Sequence, residues 1–215
     1  MRPITVTVGP LATASANNIC LSQTPTSALT LNGALATNGV ATLDTPRRVM
    51  VTTTANESAK TITFVGTDWN YNIVTEILTL ANAGTTYTNM DFRTVTSATI
   101  SAAASGALTI GTNTVASSMW VRLDEFSAPQ IGIQATATGT INYTLQQTLQ
   151  DPNSPFAPVL PYQVAWLNSA DASAVNAAAN IQSNYTYAPL WAKVTLNSGT
   201  GSVSVVYNQY SNAPY

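Results

Sequence analysis

The sequence predicts an all-β fold, and three observations carry the prediction. Apolar and polar residues alternate with a period of two along most of the chain, threonine and other β-branched residues dominate the alternating segments, and turn signals built from Gly, Asn and Pro recur at short intervals. A branched Cβ restricts χ1 and packs well on a pleated surface, so such residues favour strands over helix. Many short strands separated by turns predict two sandwich-like domains of jelly-roll or immunoglobulin-like kind. The 215 residues supply enough material for two such cores.

Ile4, Val6 and Val8 alternate with Thr5 and Thr7, and Gly9-Pro10 ends that first strand. Residues 11–45, rich in Ala, Ser, Thr and Asn, read as an extended N-terminal arm with short strands in it. From Arg48 the pattern sharpens. Residues 49–54 and 61–67 flank a polar tip at Asn56-Glu57-Ser58 and predict a hairpin, and a second turn at residues 68–72 leads into a strand over 73–80. Strands over 92–100 and 107–111 follow.

Around residues 112–118 the pattern lapses, which divides the chain into an arm plus first sandwich (1–115) and a second sandwich (116–215). In the second part, residues 120–123, 130–135 and 140–148 alternate cleanly, the last two joined at Ala137-Thr138-Gly139. Pro152, Pro155, Pro158 and Pro161 then recur every three residues, which suits extended polyproline-like backbone. Residues 170–181 read as a short helix capped by Asp171, or as a loop. Two alternating runs over 190–196 and 202–209 flank Asn197-Ser198-Gly199-Thr200-Gly201 and predict a closing hairpin.

Composition narrows the function. Only 7% of residues are charged and the net charge is -2, against roughly 25% charged in typical soluble domains. Seven Lys and Arg, scattered singly, cannot neutralise a run of phosphates, so nucleic acid is not an expected partner. The chain contains no histidine, so Ser-His-Asp and Cys-His nucleophile activation cannot be assembled within it. A single cysteine, Cys20, excludes an intrachain disulfide and a cysteine-rich metal site. No run of apolar residues is long enough for a membrane-spanning helix, and the N-terminus lacks the apolar core of a signal peptide, so no membrane partner is expected. Hydroxyl and amide side chains fill the place of charge. A surface of that kind is buried against neighbours at lower desolvation cost than one of Lys and Glu, which points to an assembly of many copies.

Local motifs add little chemistry. Asp68, Asn70 and Asn72 open like a calcium loop, but Ile73 stands where the sharp turn requires Gly and Thr79 where a bidentate Glu is required. Ser58 and Lys60 fall in a turn, where the lysine is solvated and protonated. Gly106 to Gly111 lacks the lysine and helix of a phosphate loop. No cofactor and no catalytic residue is therefore expected. The candidate residues are interfacial: Trp69 and Tyr71 at a hairpin tip; Arg122 and Asp124 as an ion pair or subunit contact; Pro155, Phe156 and Tyr162 in the proline-spaced loop; and Tyr210 and Tyr215 in the aromatic C-terminal tail.

Several segments resemble one that recurs in small virion proteins of tailed bacteriophages. They are Pro46-Arg47-Arg48-Val49, residues 61–68, Thr75-Glu76, residues 81–85 and 92–100, the later run Gly139-Thr140-Ile141-Asn142-Tyr143-Thr144-Leu145-Gln146-Gln147-Thr148, and the terminal hairpin. They cover about two-thirds of the chain, and the proline-spaced stretch and the aromatic tail depart from the pattern. The resemblance implies a non-enzymatic structural protein, made in the host cytoplasm and present in many copies in the virion. Its expected partners are the major capsid protein or other virion proteins and further copies of itself. A capsid decoration or cement protein is the leading expectation, with residues 11–45 and 151–163 as the segments that touch neighbours. A neck or tail component at the head-tail junction, and a carbohydrate-binding or adhesin module using Trp69 and Tyr71, are the alternatives.

Overall fold

The computed structural model describes residues 3–123 and 131–209. The chain is all-β, built from antiparallel strands and, among the described residues, only two single turns of 3-10 helix. It forms two compact units, but these are not the two halves of the sequence. One, the insert, consists of residues 12–114; the other, the host, combines residues 1–11 with 115–215. The first strand, β1 (Ile4–Val8), forms as its alternation predicts, yet its register partners run from Tyr207 back to Val203. Residues 1–11 thus complete the second sandwich, which corrects the expected boundary. Alternation sets which side chains of β1 are buried but carries no information about a partner 200 positions away.

The insert contains β2 (Ser15–Gln23), β3 (Ala36–Thr37), β4 (Val40–Thr53), β5 (Thr61–Thr67), β6 (Ile73–Thr79), β7 (Thr85–Ile100) and β8 (Leu108–Thr112). One sheet runs in the order β2-β8-β4-β7-β5-β6, with β3 on β4. Two long strands, β4 and β7, make it sandwich-like by changing partners along their length. β7 pairs with β4 through residues 85–87, 91–92 and 94–95, and with β5 through residues 94–100, so that only Thr94 and Val95 pair on both sides. Register shifts in β4 between Thr42 and Arg47 and again between Arg48 and Met50 mark bulges where the pair bends. The curved sheet encloses Ile19, Val51, Ile62, Phe64, Phe92 and Ile110, all fully buried, with the rings of Phe64 and Phe92 6.1 Å apart.

Residues 11–45 are not an arm. Ile19 and Cys20 of β2, with Leu29, Leu31, Ala41 and Leu43, are part of this core. Their apolar residues are spread thinly among Ser, Thr and Asn, which weakens the periodicity without preventing burial. The hairpin expected between residues 49–54 and 61–67 is also absent, because β7 lies between β4 and β5. The hairpin that does form joins β5 to β6, in register from Thr61↔Thr79 to Thr67↔Ile73.

Two buried charges hold the insert's geometry. Arg47, 1% exposed, pairs with Asp44 at 2.6 Å and donates from Nη1 to the carbonyls of Ala12, 2.7 Å, and Asn113, 3.2 Å; the amide of Ala12 donates to Asp44. One ion pair therefore fastens the points where the chain enters and leaves the insert. Glu76 of β6 is buried and accepts the amides of Asn89 and Met90, at 2.7 and 2.9 Å, where the bend in β7 interrupts ladder pairing. Burial pushes its carboxyl above the usual range.

The host contains β9 (Ala116–Ser117), β10 (Val121–Arg122), β11 (Ile131–Thr138), β12 (Ile141–Thr148), β13 (Leu167–Asn168), β14 (Ile181–Tyr185), β15 (Trp191–Gly199) and β16 (Ser202–Gln209). One sheet runs β1-β16-β11-β14 and the other β10-β15-β12-β13, with β9 also on β15. Val6, Val8, Ile133, Tyr143, Leu145, Val194, Leu196, Val205 and Tyr207 form the core.

The expected closing hairpin does not form, and the joined runs before it do not pair with each other either. β11 pairs with β16 and β12 with β15, so each turn carries the chain from one sheet to the other. Where the two crossings meet, the amides of Thr200 and Gly201 both donate to the carbonyl of Thr140, at 3.0 Å. A Cβ on Gly201 would lie 2.1 Å from the carbonyl oxygen of Thr138, and one on Gly199, at φ +106°, 2.3 Å from that of Thr140, so both positions require glycine. The helix expected over residues 170–181 is one 3-10 turn, Ala172–Ala174, whose Asp171 accepts from the Ser173 amide at 2.9 Å.

Candidate interaction surface

The host's most exposed apolar segment is the connection between β12 and β13. It begins at Leu149 and ends at Leu167, contains the four regularly spaced prolines, and carries Asp151 as its one charged residue. Leu149, Phe156, Leu160 and Leu167 all project into solvent, Phe156 at 96% exposure. Scattered exposed leucines are ordinary, but an apolar set on one nearly uncharged loop marks a contact surface.

Local hydrogen bonds explain how so apolar a loop keeps a shape. Gln150 caps the base: its amide donates to Thr148 Oγ1 at 3.1 Å and its Oε1 accepts the Ala165 amide at 2.6 Å. Asp151 then turns the chain, its carboxylate accepting from the Asn153 amide at 3.0 Å and its carbonyl from Ser154 at 3.1 Å. Ser154 Oγ accepts the amides of Phe156 and Ala157. Short polar side chains bonding to nearby backbone stabilise turns in this way, and proline limits the alternatives. A further 3-10 turn, Pro161–Gln163, ends the proline run.

The loop is stapled to the sheet by an aromatic cluster. Trp166 lies edge-on to Trp120, with centroids 5.0 Å apart, and Trp120 meets Trp191 at 6.3 Å. Lys193 Nζ sits 4.4 Å from the Trp166 ring centroid and the Arg122 guanidinium 5.8 Å from that of Trp191. Cations over indole faces add attraction, more so for a buried ammonium such as that of Lys193. Trp191 and Lys193 alternate with the core residues Ala192 and Val194 along β15, so they emerge on the sheet's outer face.

The predicted site residues are distributed as follows. Pro155 and Phe156 are exposed in this loop, and Tyr162, half-buried, lies in its 3-10 turn. Arg122, on β10, is exposed beside Trp191. The insert carries the other two described candidates: Trp69 is half-buried and Tyr71 exposed, with the Arg93 guanidinium 4.3 Å from the Tyr71 ring centroid. Asp124, Tyr210 and Tyr215 lie outside the described residues. The structure thus brings together the loop residues and sets Arg122 in the cluster that anchors them, while Trp69 and Tyr71 belong to the other unit. Trp120, Trp166 and Lys193 were missed, because each stands alone in the sequence; their one shared signal was indole-rich content near β10, β13 and β15.

Residues with a conceivable chemical role are tied up locally. Ser58 Oγ donates to Asn56 Oδ1 at 2.8 Å, and Lys60 Nζ donates to Glu57 at 2.6 Å, so the two do not form a dyad. Asp68 accepts the amides of Asn70 and Asn72 across the β5-β6 tip, at 2.8 and 3.0 Å. Burial pushes the Cys20 thiol up to about 11. Among the described residues no three His, Cys, Asp or Glu side chains converge as a metal site, and no helix is long and apolar enough to cross a membrane. Compared with known proteins, the chain matches no family and no curated protein.

Proposed function

We propose that this chain is a non-enzymatic structural protein of a tailed-phage virion, and within that class a decoration protein that bridges neighbouring capsid subunits. The observation that carries the reading is the loop over residues 149–167: a proline-stiffened apolar projection with Asp151 as its one charge, whose base is locked by Gln150 and a tryptophan cluster. Such a projection loses little conformational entropy when a partner covers it, which favours docking over turnover. A surface poor in charge and the resemblance of its strand segments to small virion proteins support the same conclusion. Residues 11–45, folded into the two units, do not serve as the bridging arm.

Quantifying the chain in purified particles tests the proposal. Decoration requires a copy number that scales with the capsid subunits. A single ring's worth of copies moves the protein to the head-tail junction, and absence from particles refutes the virion role.

A further inference from the structure

Asparagine followed by glycine occurs twice in the chain, at Asn32-Gly33 and at Asn38-Gly39, both in the insert. The dipeptide carries a chemistry of its own. The amide nitrogen of the glycine can attack the side-chain carbonyl carbon of the asparagine, and glycine, having no Cβ, hinders that attack least. The fold places the two copies in opposite situations.

At Asn32 the groups the reaction uses are engaged. Asn32 Oδ1 accepts from the Leu21 amide at 3.0 Å and from Gln23 Nε2 at 3.4 Å, while the Gly33 amide donates to the carbonyl of Ile19 at 3.0 Å. Gly33 is buried so closely against β2 that a Cβ on it would lie 2.3 Å from the carbonyl carbon of Asn18. Nitrogen and carbon can meet there only if the segment leaves β2.

Asn38 and Gly39 instead form the two-residue tip between β3 and β4, with φ of +52° and +77° as a type I′ turn requires. Residues 37–40 are exposed, and a Cβ on Gly39 would meet nothing within 4 Å. Among the described residues no hydrogen bond holds the Gly39 amide or the Asn38 side chain. β3 contributes only two rungs, Ala36↔Ala41 and Thr37↔Val40. A rotation at Asn38 that brings nitrogen to carbon therefore moves solvated atoms and leaves the core in place.

We propose that Asn38 is a site of spontaneous deamidation, converted to a mixture of aspartate and isoaspartate, and that packing protects Asn32. The Gly39 amide loses its proton to solvent and its nitrogen bonds to Asn38 Cγ. The bond from Cγ to Nδ2 then breaks and ammonia leaves, taking a proton from water. Water opens the resulting succinimide at either carbonyl, giving isoaspartate by one route and aspartate by the other. The sum is hydrolysis of one amide: water enters, ammonia leaves, and nothing is oxidised or reduced. Either product adds a negative charge to a chain whose net charge is -2, and isoaspartate also lengthens the main chain of the turn by one atom. The charge of the molecule thus changes with its age, whatever its place of work.

The test holds the full-length chain in mildly alkaline heavy-oxygen water, digests timed samples in ordinary water and locates the label by tandem mass spectrometry. Asn38 is expected to take up heavy oxygen at least tenfold faster than Asn32. In denaturant, where neither dipeptide is held, the two rates are expected to agree within about threefold. Equal rates in the folded chain, a faster reaction at Asn32, or no conversion at Asn38 while the unfolded chain reacts overturns the proposal. A tenfold gap that persists in denaturant overturns the claim that packing protects Asn32.

Discussion

Replacing Phe156 by alanine separates docking from folding. The side chain is 96% exposed, so its removal takes almost nothing from the folded protein, within about 0.5 kcal/mol. A partner that covers it gains close to the full burial of a phenylalanine, about 1.5–3 kcal/mol, which corresponds to roughly 10- to 150-fold in affinity. Little of that is consumed in ordering the loop, because Ser154 Oγ already accepts the Phe156 amide and Gln150 already closes the base. The assay is saturation binding of purified chain to particles that lack it, with denaturant unfolding run in parallel. Phe156→Ala should lose at least tenfold in affinity with an unchanged unfolding midpoint. Binding within about twofold of wild type refutes the assignment of this loop as the docking element, and a shifted midpoint refutes the claim that Phe156 is energetically idle in the free chain.

Three further outcomes follow from substitutions elsewhere in the chain. Glu57 is held below the usual carboxylate range, chiefly by its hydrogen bond with Lys60 and, against the cost of burial, by the amides of Gly106 and Ser105; its contribution is therefore complete above the ordinary value of 4.5 and fades as pH falls through the depressed one. The stability difference between wild type and Glu57→Gln, measured by denaturant titration at several pH values, should shrink on acidification below 4.5. At the sheet crossings, Gly201→Ala drives a methyl to 2.1 Å from the Thr138 carbonyl and should cost about 2–3 kcal/mol. By contrast Gly132→Ala, whose Cβ would meet nothing closer than 3.9 Å, should change the melting temperature by less than about 2 °C.

Which parts of this architecture were legible is instructive. Strands β5, β6, β12 and β16 lie within a residue or two of their alternating runs, because a period of two with β-branched residues leaves few other conformations. Their partners were not legible. A hairpin and a crossing between sheets need the same Gly- and Asn-rich turn, so Ala137-Thr138-Gly139 and the Asn197 to Gly201 segment gave no sign that they join opposite layers. The first half of β7 escaped notice because Asn89 and Asp91 resemble turn residues; in the structure the buried carboxylate of Glu76 receives the amides that the bend exposes. At the candidate surface, proline spacing exposed the loop to view, and Phe156 stood out within it. Its anchor did not, since Trp120, Trp166 and Lys193 meet only after β10, β12 and β15 have paired.

Because β1 and β16 run antiparallel with Ile4 beside Tyr207, a pull on the two ends of the polypeptide peels them apart rung by rung, the gentlest direction in which such a ladder can be loaded. Tension reaches residues 12–114 only after β1 has come away. Under such stress residues 12–114 come under load only once the strand ahead of them has gone, sheltered until then by their position in the thread.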